Sequence, residues 1–181
     1  MHIEIEAKLK VDSLAKVARK LRDSGAEFVG ELLQNDAYFD DGKGTMRKAD
    51  SALRIRRQMV RGKNQVVITC KGPKKRGRFK RRREIEFAVG DGNLAEKFLE
   101  MLGYKKMIIV KKNRREWRLG GCIVALDELP ALGSFVEIEG PSEKKIALVQ
   151  KKLGLDNLPH IPESYACLME KKLHAGKKPK K

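Results

Sequence analysis

A chain of 181 residues, 41% hydrophobic and 36% charged, has apolar mass for one ample core and far more charge than a solvated surface needs. No apolar run approaches the roughly 18–20 residues that span a bilayer, and the first residues carry no apolar signal segment, so a cytoplasmic, non-membrane protein is expected. The formal net charge of +17 points to an anionic partner, and the scattered Cys70, Cys122 and Cys167 read as reduced thiols, with no spacing for a disulfide or zinc framework.

Residues 2–10 alternate as a strand, and Asp12-Ser13 can cap a helix whose Leu14, Val17, Ala18 and Leu21 follow helical spacing to a stop at Gly25. Strand patterns follow at 26–39 and 51–60, separated by the polar stretch 40–44, and then at 66–71, ending on Gly72-Pro73, and 79–89. Asp91-Gly92-Asn93 opens a second helix over 94–102, closed by Gly103. Strands over 105–118, 121–127 and 134–140 precede a helix started by Pro141-Ser142 and stopped at Gly154. A last helix begins at Pro162–Ser164 and runs to about His174. The tail 176–181, four lysines broken by Gly and Pro, is expected to be disordered, leaving a single domain over 1–175.

Two stretches echo each other. Glu4-Ile5-Glu6 followed by a helix from Leu14 recurs as Glu84-Ile85-Glu86 followed by a helix from Leu94, an offset of 80 residues in both cases. Each half is too small to bury its own core, so the two are expected to form one closed or strongly curved antiparallel barrel with helices outside, an α+β fold.

Strand side chains alternate faces, so each charged i, i+2 pair shares one face. The pairs are Glu4/Glu6, Arg54/Arg56, Lys80/Arg82, Glu84/Glu86, Lys112/Arg114 and Glu137/Glu139, joined by Lys8, Lys71 and Asp127. One such pair alone is what a solvated strand face carries. Like-signed neighbours on strand after strand are costly unless counter-ions join them, which places the charged faces inside the barrel. Ile5, Ile55, Ile85 and Ile138 then pack outward on helices, as do Phe39 and Trp117, which have the wrong parity for the charged face. Carboxylate sets suit Mg²⁺ or Mn²⁺, and Arg and Lys suit phosphate oxygens. Within the basic run 73–83, eight of eleven residues are cationic; parity turns Lys80 and Arg82 inward and leaves Lys74, Lys75, Arg76, Arg78, Arg81 and Arg83 as a solvated loop and edge. His2, His160 and His174 are isolated and are given no catalytic role.

Glu4-Ile5-Glu6-Ala7-Lys8 resembles the ExExK signature of the CYTH family, the triphosphate tunnel metalloenzymes. Asn35-Asp36-Ala37-Tyr38-Phe39-Asp40, Ala52-Leu53-Arg54-Ile55-Arg56, Lys71-Gly72-Pro73, Arg83-Glu84-Ile85-Glu86, Lys112/Arg114, Leu126-Asp127-Glu128 and Leu132–Glu139 follow in that family's order, so that the resemblance covers about residues 2–170. It implies a tunnel of eight antiparallel strands binding ATP or another triphosphate. Lys8, Arg54, Arg56, Lys71, Arg82, Lys112 and Arg114 would hold phosphates. Glu4, Glu6, Glu84, Glu86, Asp127, Glu137 and Glu139 would hold Mg²⁺ or Mn²⁺. Catalysis would centre on Glu4, Glu6, Lys8, Lys112 and Arg114.

Within the family, the chain looks most like the class IV adenylyl cyclase branch, whose reaction turns ATP into cyclic AMP and pyrophosphate; that branch also implies a homodimer. It departs from the branch at Asp41, where Thr is common, and in the length of the basic run. Hydrolysis of tripolyphosphate or thiamine triphosphate is the alternative reading. A non-catalytic polyphosphate or nucleic-acid module is a third, opposed by the carboxylates that share faces with the arginines.

Overall fold

The computed structural model describes residues 1–60, 62–75 and 77–175. Arg76 and the tail 176–181, read above as solvated loop and disordered tail, lie outside the described residues. In chain order the elements are β1 (His2–Lys10), α1 (Leu14–Asp23), β2 (Glu27–Asp41), α2 (Thr45–Lys48), β3 (Ala52–Val60), β4 (Lys63–Lys71), β5 (Lys80–Val89) and α3 (Gly92–Met101). There follow β6 (Tyr104–Leu119), β7 (Cys122–Leu129), β8 (Gly133–Glu139), α4 (Glu143–Lys152) and α5 (Tyr165–Ala175). The eight strands close an antiparallel barrel in the order β1-β5-β4-β3-β2-β6-β7-β8, with β8 returning to β1. No helix among the described residues is long and apolar enough to cross a membrane.

The repeat in the sequence has a geometric counterpart. Reading the ring forwards from β1 gives the same order of equivalents as reading it backwards from β5. Where β1 meets β5, Ile3 pairs with Arg83; where β2 meets β6, Leu33 pairs with Asn113. In both pairs the partners are 80 residues apart, so each residue faces its own equivalent and a pseudo-twofold axis passes through both seams.

Helices cover the barrel where their apolar stripes find outward-facing strand residues. Ser13 caps α1 by accepting from the Lys16 backbone N–H at 3.3 Å, and Leu14, Val17, Ala18 and Leu21 join a core with Leu9, Trp117, Val124, Ile138 and Ile146. Asp91 caps α3, whose Ala95 and Leu99 pack on Ala37, Phe39 and Ile55. Trp117 and Phe39 thus lie outside the tunnel, as their parity requires. Ile5, Ile55 and Ile138 pack as expected, but Ile85 belongs to neither core and is 49% exposed beside Ile3 and Phe87. Alternation sets only that Ile85 faces outward; whether a helix covers it depends on which strands the connections cross.

The polar stretch after β2 is more structured than its composition suggests. Asp40 accepts the backbone N–H groups of Asp41, Met46 and Arg47, and Asp41 accepts those of Lys43 and Thr45 and the Thr45 hydroxyl at 2.6 Å. These bonds build α2, and they give the unusual Asp41 a local task. At the other extreme of the chain α5, capped by Ser164, enters one end of the barrel, where Tyr165 meets Val110, Leu129 and Phe135.

Candidate active site

The barrel encloses a cavity of about 230 Å³. Glu4, Glu6, Lys8, Arg54, Arg56, Lys71, Lys80, Arg82, Glu84, Glu86, Lys112, Arg114, Glu137 and Glu139 all line it, so alternation brings together every expected residue but one. That one is Asp127. It is fully buried behind Arg114 and does not line the cavity.

Closure is what makes neighbours of the chain's two ends. β1 pairs with β8 so that Glu6 opposes Glu139 and Lys8 opposes Glu137. On the other side β1 pairs with β5, and Lys71 from β4 reaches across to Glu4 at 2.6 Å and Glu84 at 2.8 Å. Glu6 pairs with Lys80, whose pKa rises: burial opposes its charge, but Glu6 and Glu4 outweigh that. Glu139 has the reverse experience. Burial, then the charges of Glu4 and Glu6, push its pKa up to about 7. One oxygen of Glu4, Oε2, is buried without a hydrogen-bond partner among the described residues. An orphaned carboxylate oxygen beside a carboxylate that resists ionising is what a hard cation would relieve, so this acidic set fits Mg²⁺ or Mn²⁺. Among the described residues, no three His, Cys, Asp or Glu side chains are drawn together as a finished metal cage.

The cations have buried anchors. Arg56 makes a bidentate pair with Asp36 at 2.7 and 2.8 Å, and Arg54 lies 3.5 Å from the same carboxylate and 3.1 Å from the Thr69 hydroxyl. Burial works against the Asp36 charge, yet Arg54 and Arg56 hold its pKa well below the usual carboxylate range. Arg114 is bidentate to Asp127 at 2.6 and 2.5 Å and also pairs with Glu137. Glu137 is shared with Lys8 at 3.2 Å, and burial likewise loses to Lys8 and Arg114 in holding its pKa far down. Three carboxylates, Asp36, Asp127 and Glu137, thus serve as arginine holders beside the cavity.

Tyr165 completes this end from α5. Its hydroxyl donates to Asp127 at 2.8 Å, while Lys8 and Lys112 lie over its ring at 3.9 and 4.8 Å. Lys112 is fully enclosed: burial first, then the neighbouring Arg114, bring its pKa down to about 7 despite Asp127 at 3.5 Å. Burial also lowers the pKa of Lys8, against the pull of Glu137.

Arg82 stands apart. It is 3% exposed, and among the described residues its Nε has no hydrogen-bond partner. Its neighbours Arg81 and Arg83 are exposed, as the alternation of β5 requires. They can act on an anion only through long-range attraction, which salt screens over roughly 8–10 Å. The Arg81→Ala/Arg83→Ala double variant is therefore expected to lose less than about twofold in kcat/KM, the loss fading as salt rises. An effect that persists at high salt would place the basic run inside the site.

Asp36, Thr69, Glu116, Tyr38 and Tyr165 are cavity or anchoring residues that the charge pairs did not single out. The same parity that placed Arg54 finds Asp36 and Tyr38 on β2. Tyr165 has no such signal, because a helix entering a barrel leaves no periodicity that names its contact. His160 is structural: its Nδ1–H donates to the Arg78 carbonyl, Nε2 accepts from Gln150, and its ring packs on Phe79.

Comparison with known proteins agrees with this geometry. A protein of Methanocaldococcus jannaschii, carried under the provisional name of an adenylate cyclase, is 32% identical over 137 residues, 76% of each chain. The solved structure of PH1819 from Pyrococcus horikoshii superposes with a TM-score of 0.80 at 31% identity, covering 93% of this chain and 99% of that one. HpAC1 from Hippeastrum, described as having a dominant triphosphatase activity, shares the fold at 18% identity and a TM-score of 0.71, with 97% of each chain covered. Residues 2–165 match the CYTH domain, and with the barrel and its inward charges this places the chain in the CYTH family.

Proposed function

We propose that this protein is a metal-dependent enzyme acting on a triphosphate, with cyclisation of ATP to cyclic AMP and pyrophosphate as its reaction. CYTH proteins in general process triphosphates, and a relative 32% identical bears the cyclase name. The observation that carries the reading is the division of one enclosed cavity into a cationic wall with buried anchors and a carboxylate cluster short of positive charge.

In this reading Lys8, Arg54, Arg56, Lys71, Arg82, Lys112 and Arg114 grip the phosphate oxygens, the arginines as planar forks and the lysines as point charges. Asp36 and Asp127 position Arg56 and Arg114 so that little reorganisation remains when charge develops. Glu4, Glu6, Glu84 and Glu139, with Glu86 and Glu137 as further donors, would hold Mg²⁺ or Mn²⁺; when bound, such an ion would supply charge neutralisation and acidify the attacking hydroxyl. In cyclisation the 3′-oxygen bonds to the α-phosphorus, the bond to the bridging oxygen breaks, pyrophosphate leaves and the 3′ proton is released. In hydrolysis water bonds to the terminal phosphorus, the bond to its bridging oxygen breaks, the diphosphate leaves, and orthophosphate and a proton are released. Incubation with ATP, tripolyphosphate and thiamine triphosphate, each with Mg²⁺ or Mn²⁺, separates these outcomes. Cyclic AMP with pyrophosphate is expected from ATP; orthophosphate with the corresponding diphosphate from every substrate, and no cyclic AMP, would replace the cyclase with a triphosphatase.

Lys112 makes binding depend on pH. With a pKa of about 7, it is largely neutral at pH 8 before phosphate reaches it. Phosphate oxygens favour its charged form, so binding is expected to take up a proton above pH 7 and affinity to fall as pH rises further. Calorimetry in buffers of different ionisation enthalpy reads this directly. Lys112→Met should abolish the uptake; uptake unchanged in that variant would assign the titration to another group.

A further inference from the structure

The pseudo-twofold relation between the halves leaves one place in the fold unfilled. The axis makes β5, β4 and β3 the equivalents of β1, β8 and β7. Helix α4, which follows β8, lies across β1, β8 and β7, and its Ile146 and Val149 share one core with Ile5, Ala7, Val124 and Ile138. The corresponding connection, from β4 to β5, holds no helix among its described residues. Strand register names the side chains left without cover. Ala7 pairs with Ile138 and Ile138 with Val124; in the other half Phe87 pairs with Ile68 and Ile68 with Ile55. Ile85 corresponds to Ile5 across the offset of 80. Helix α3 reaches Ile55, but Ile68 is only half-buried, and Ile85 and Phe87 are 49% and 54% exposed.

This bare sheet continues onto α3. Val66, Ile68 and Val89 pack beside its buried Ala95 and Leu99. The helix and its C-cap carry a second apolar stripe, Leu94, Phe98, Met101 and Leu102, all exposed. Those positions recur at i, i+4, i+7 and i+8, the spacing of a helix face that is normally buried. The opposite flank of α3 is occupied, since Glu96 pairs there with Arg57 and Lys106. With Ile3, the sheet face and the stripe expose on the order of 800 Å² of apolar surface, more than a monomer usually leaves open and what a standard interface takes from each partner. The tail 176–181, four lysines with a glycine and a proline, has nothing apolar with which to cover it.

We propose that a second copy of this chain covers this surface, through a twofold contact in which each copy lays its α3 stripe on the other's bare β4–β5 face. A twofold contact needs a patch that is its own complement, and here a sheet face without a helix lies beside a helix stripe without a floor. The cyclase branch implies a homodimer but not where its copies meet; this surface follows from the register and is independent of the tunnel's substrate. Each copy carries a net charge of +17, so attraction has to come from apolar burial. Screening the long-range repulsion should then tighten the contact, the reverse of what a salt-bridged interface does.

The full chain is sized by sedimentation velocity from about 1 to about 100 µM, at about 50 and about 500 mM salt. A reversible dimer of 20.5 kDa chains is expected, tighter at the higher salt. Phe87→Glu and Phe98→Glu alter side chains that are exposed in the single copy, so circular dichroism should show the fold unchanged. Each is expected to raise the dimer Kd at least about 100-fold, because the twofold puts every new charge into the apolar contact twice. Leu148→Glu, on a comparably exposed residue of α4 outside the patch, should leave the dimer intact. A chain that stays monomeric throughout would leave the face to another protein and overturn the inference. A dimer that either phenylalanine variant leaves intact, one that Leu148→Glu dissolves equally, or growth beyond two copies would overturn it as well.

Discussion

Glu6→Gln is expected to reduce turnover at millimolar Mg²⁺ to background, with only a small change in thermal stability. Glu6 sits in the acidic set with Glu4 and Glu139, and its one ion-pair partner among the described residues, Lys80, has Glu4 and Glu137 acting on it as well. Removing its charge relieves repulsion on Glu139, which offsets part of the lost pair with Lys80. What is lost without compensation is an oxygen ligand of full negative charge in a site that needs several. The measurement is product formation against Mg²⁺ or Mn²⁺ concentration, with thermal melting alongside. Near-normal activity in this variant, or in excess chelator, would remove the metal from the mechanism.

Glu137 behaves differently, although sequence alone ranks it with Glu6. It holds Lys8 and Arg114 together in an enclosed site, and its pKa is held far down by them against burial. Glu137→Gln leaves two buried cations short of a counter-charge, so a drop in stability of about 3–5 kcal/mol should accompany the loss of activity. The contrast between the two glutamates separates a cation ligand from an arginine holder.

Arg56→Ala is the second large effect. Arg56 presents a fork held by Asp36 at 2.7 and 2.8 Å, with its side chain largely buried in the wall of the cavity. A charge-assisted contact of this kind contributes about 1.5–3 kcal/mol, or roughly ten- to 150-fold in kcat/KM. The loss should persist from low to high salt, because a contact inside the tunnel is not screened as surface charge is. Arg56→Lys should recover only part of it, since an ammonium cannot replace the bidentate geometry. An Arg56→Ala loss that disappears at high salt would move Arg56 from phosphate contact to long-range attraction. Asp36 retains Arg54 at 3.5 Å in the variant, so folding is expected to survive.

Much of this protein was legible in its chain because strand alternation is local. Glu4-Ile5-Glu6 states, with no knowledge of the rest, that both carboxylates share a face and that the isoleucine takes the other. The same rule turned Lys80 and Arg82 inward and Arg81 and Arg83 outward, and the structure keeps that division. The repeat of 80 residues anticipated the related halves, and helix caps at Ser13, Asp91 and Ser142 marked where strands give way to helices.

Tertiary structure decided what no local rule carries. Alternation placed Ile85 outside but could not say that it stays half exposed, because cover depends on where helices land. It put Asp127 among the carboxylates, while ring closure set that residue behind Arg114 with the Tyr165 hydroxyl, away from the cavity. Glu6 against Glu139, Lys71 between Glu4 and Glu84, and α5 entering the barrel all join residues far apart in sequence. The physical reason is that a two-residue period fixes the direction of a side chain, whereas the charge it meets there depends on long-range pairing of strands, which only the closed barrel supplies.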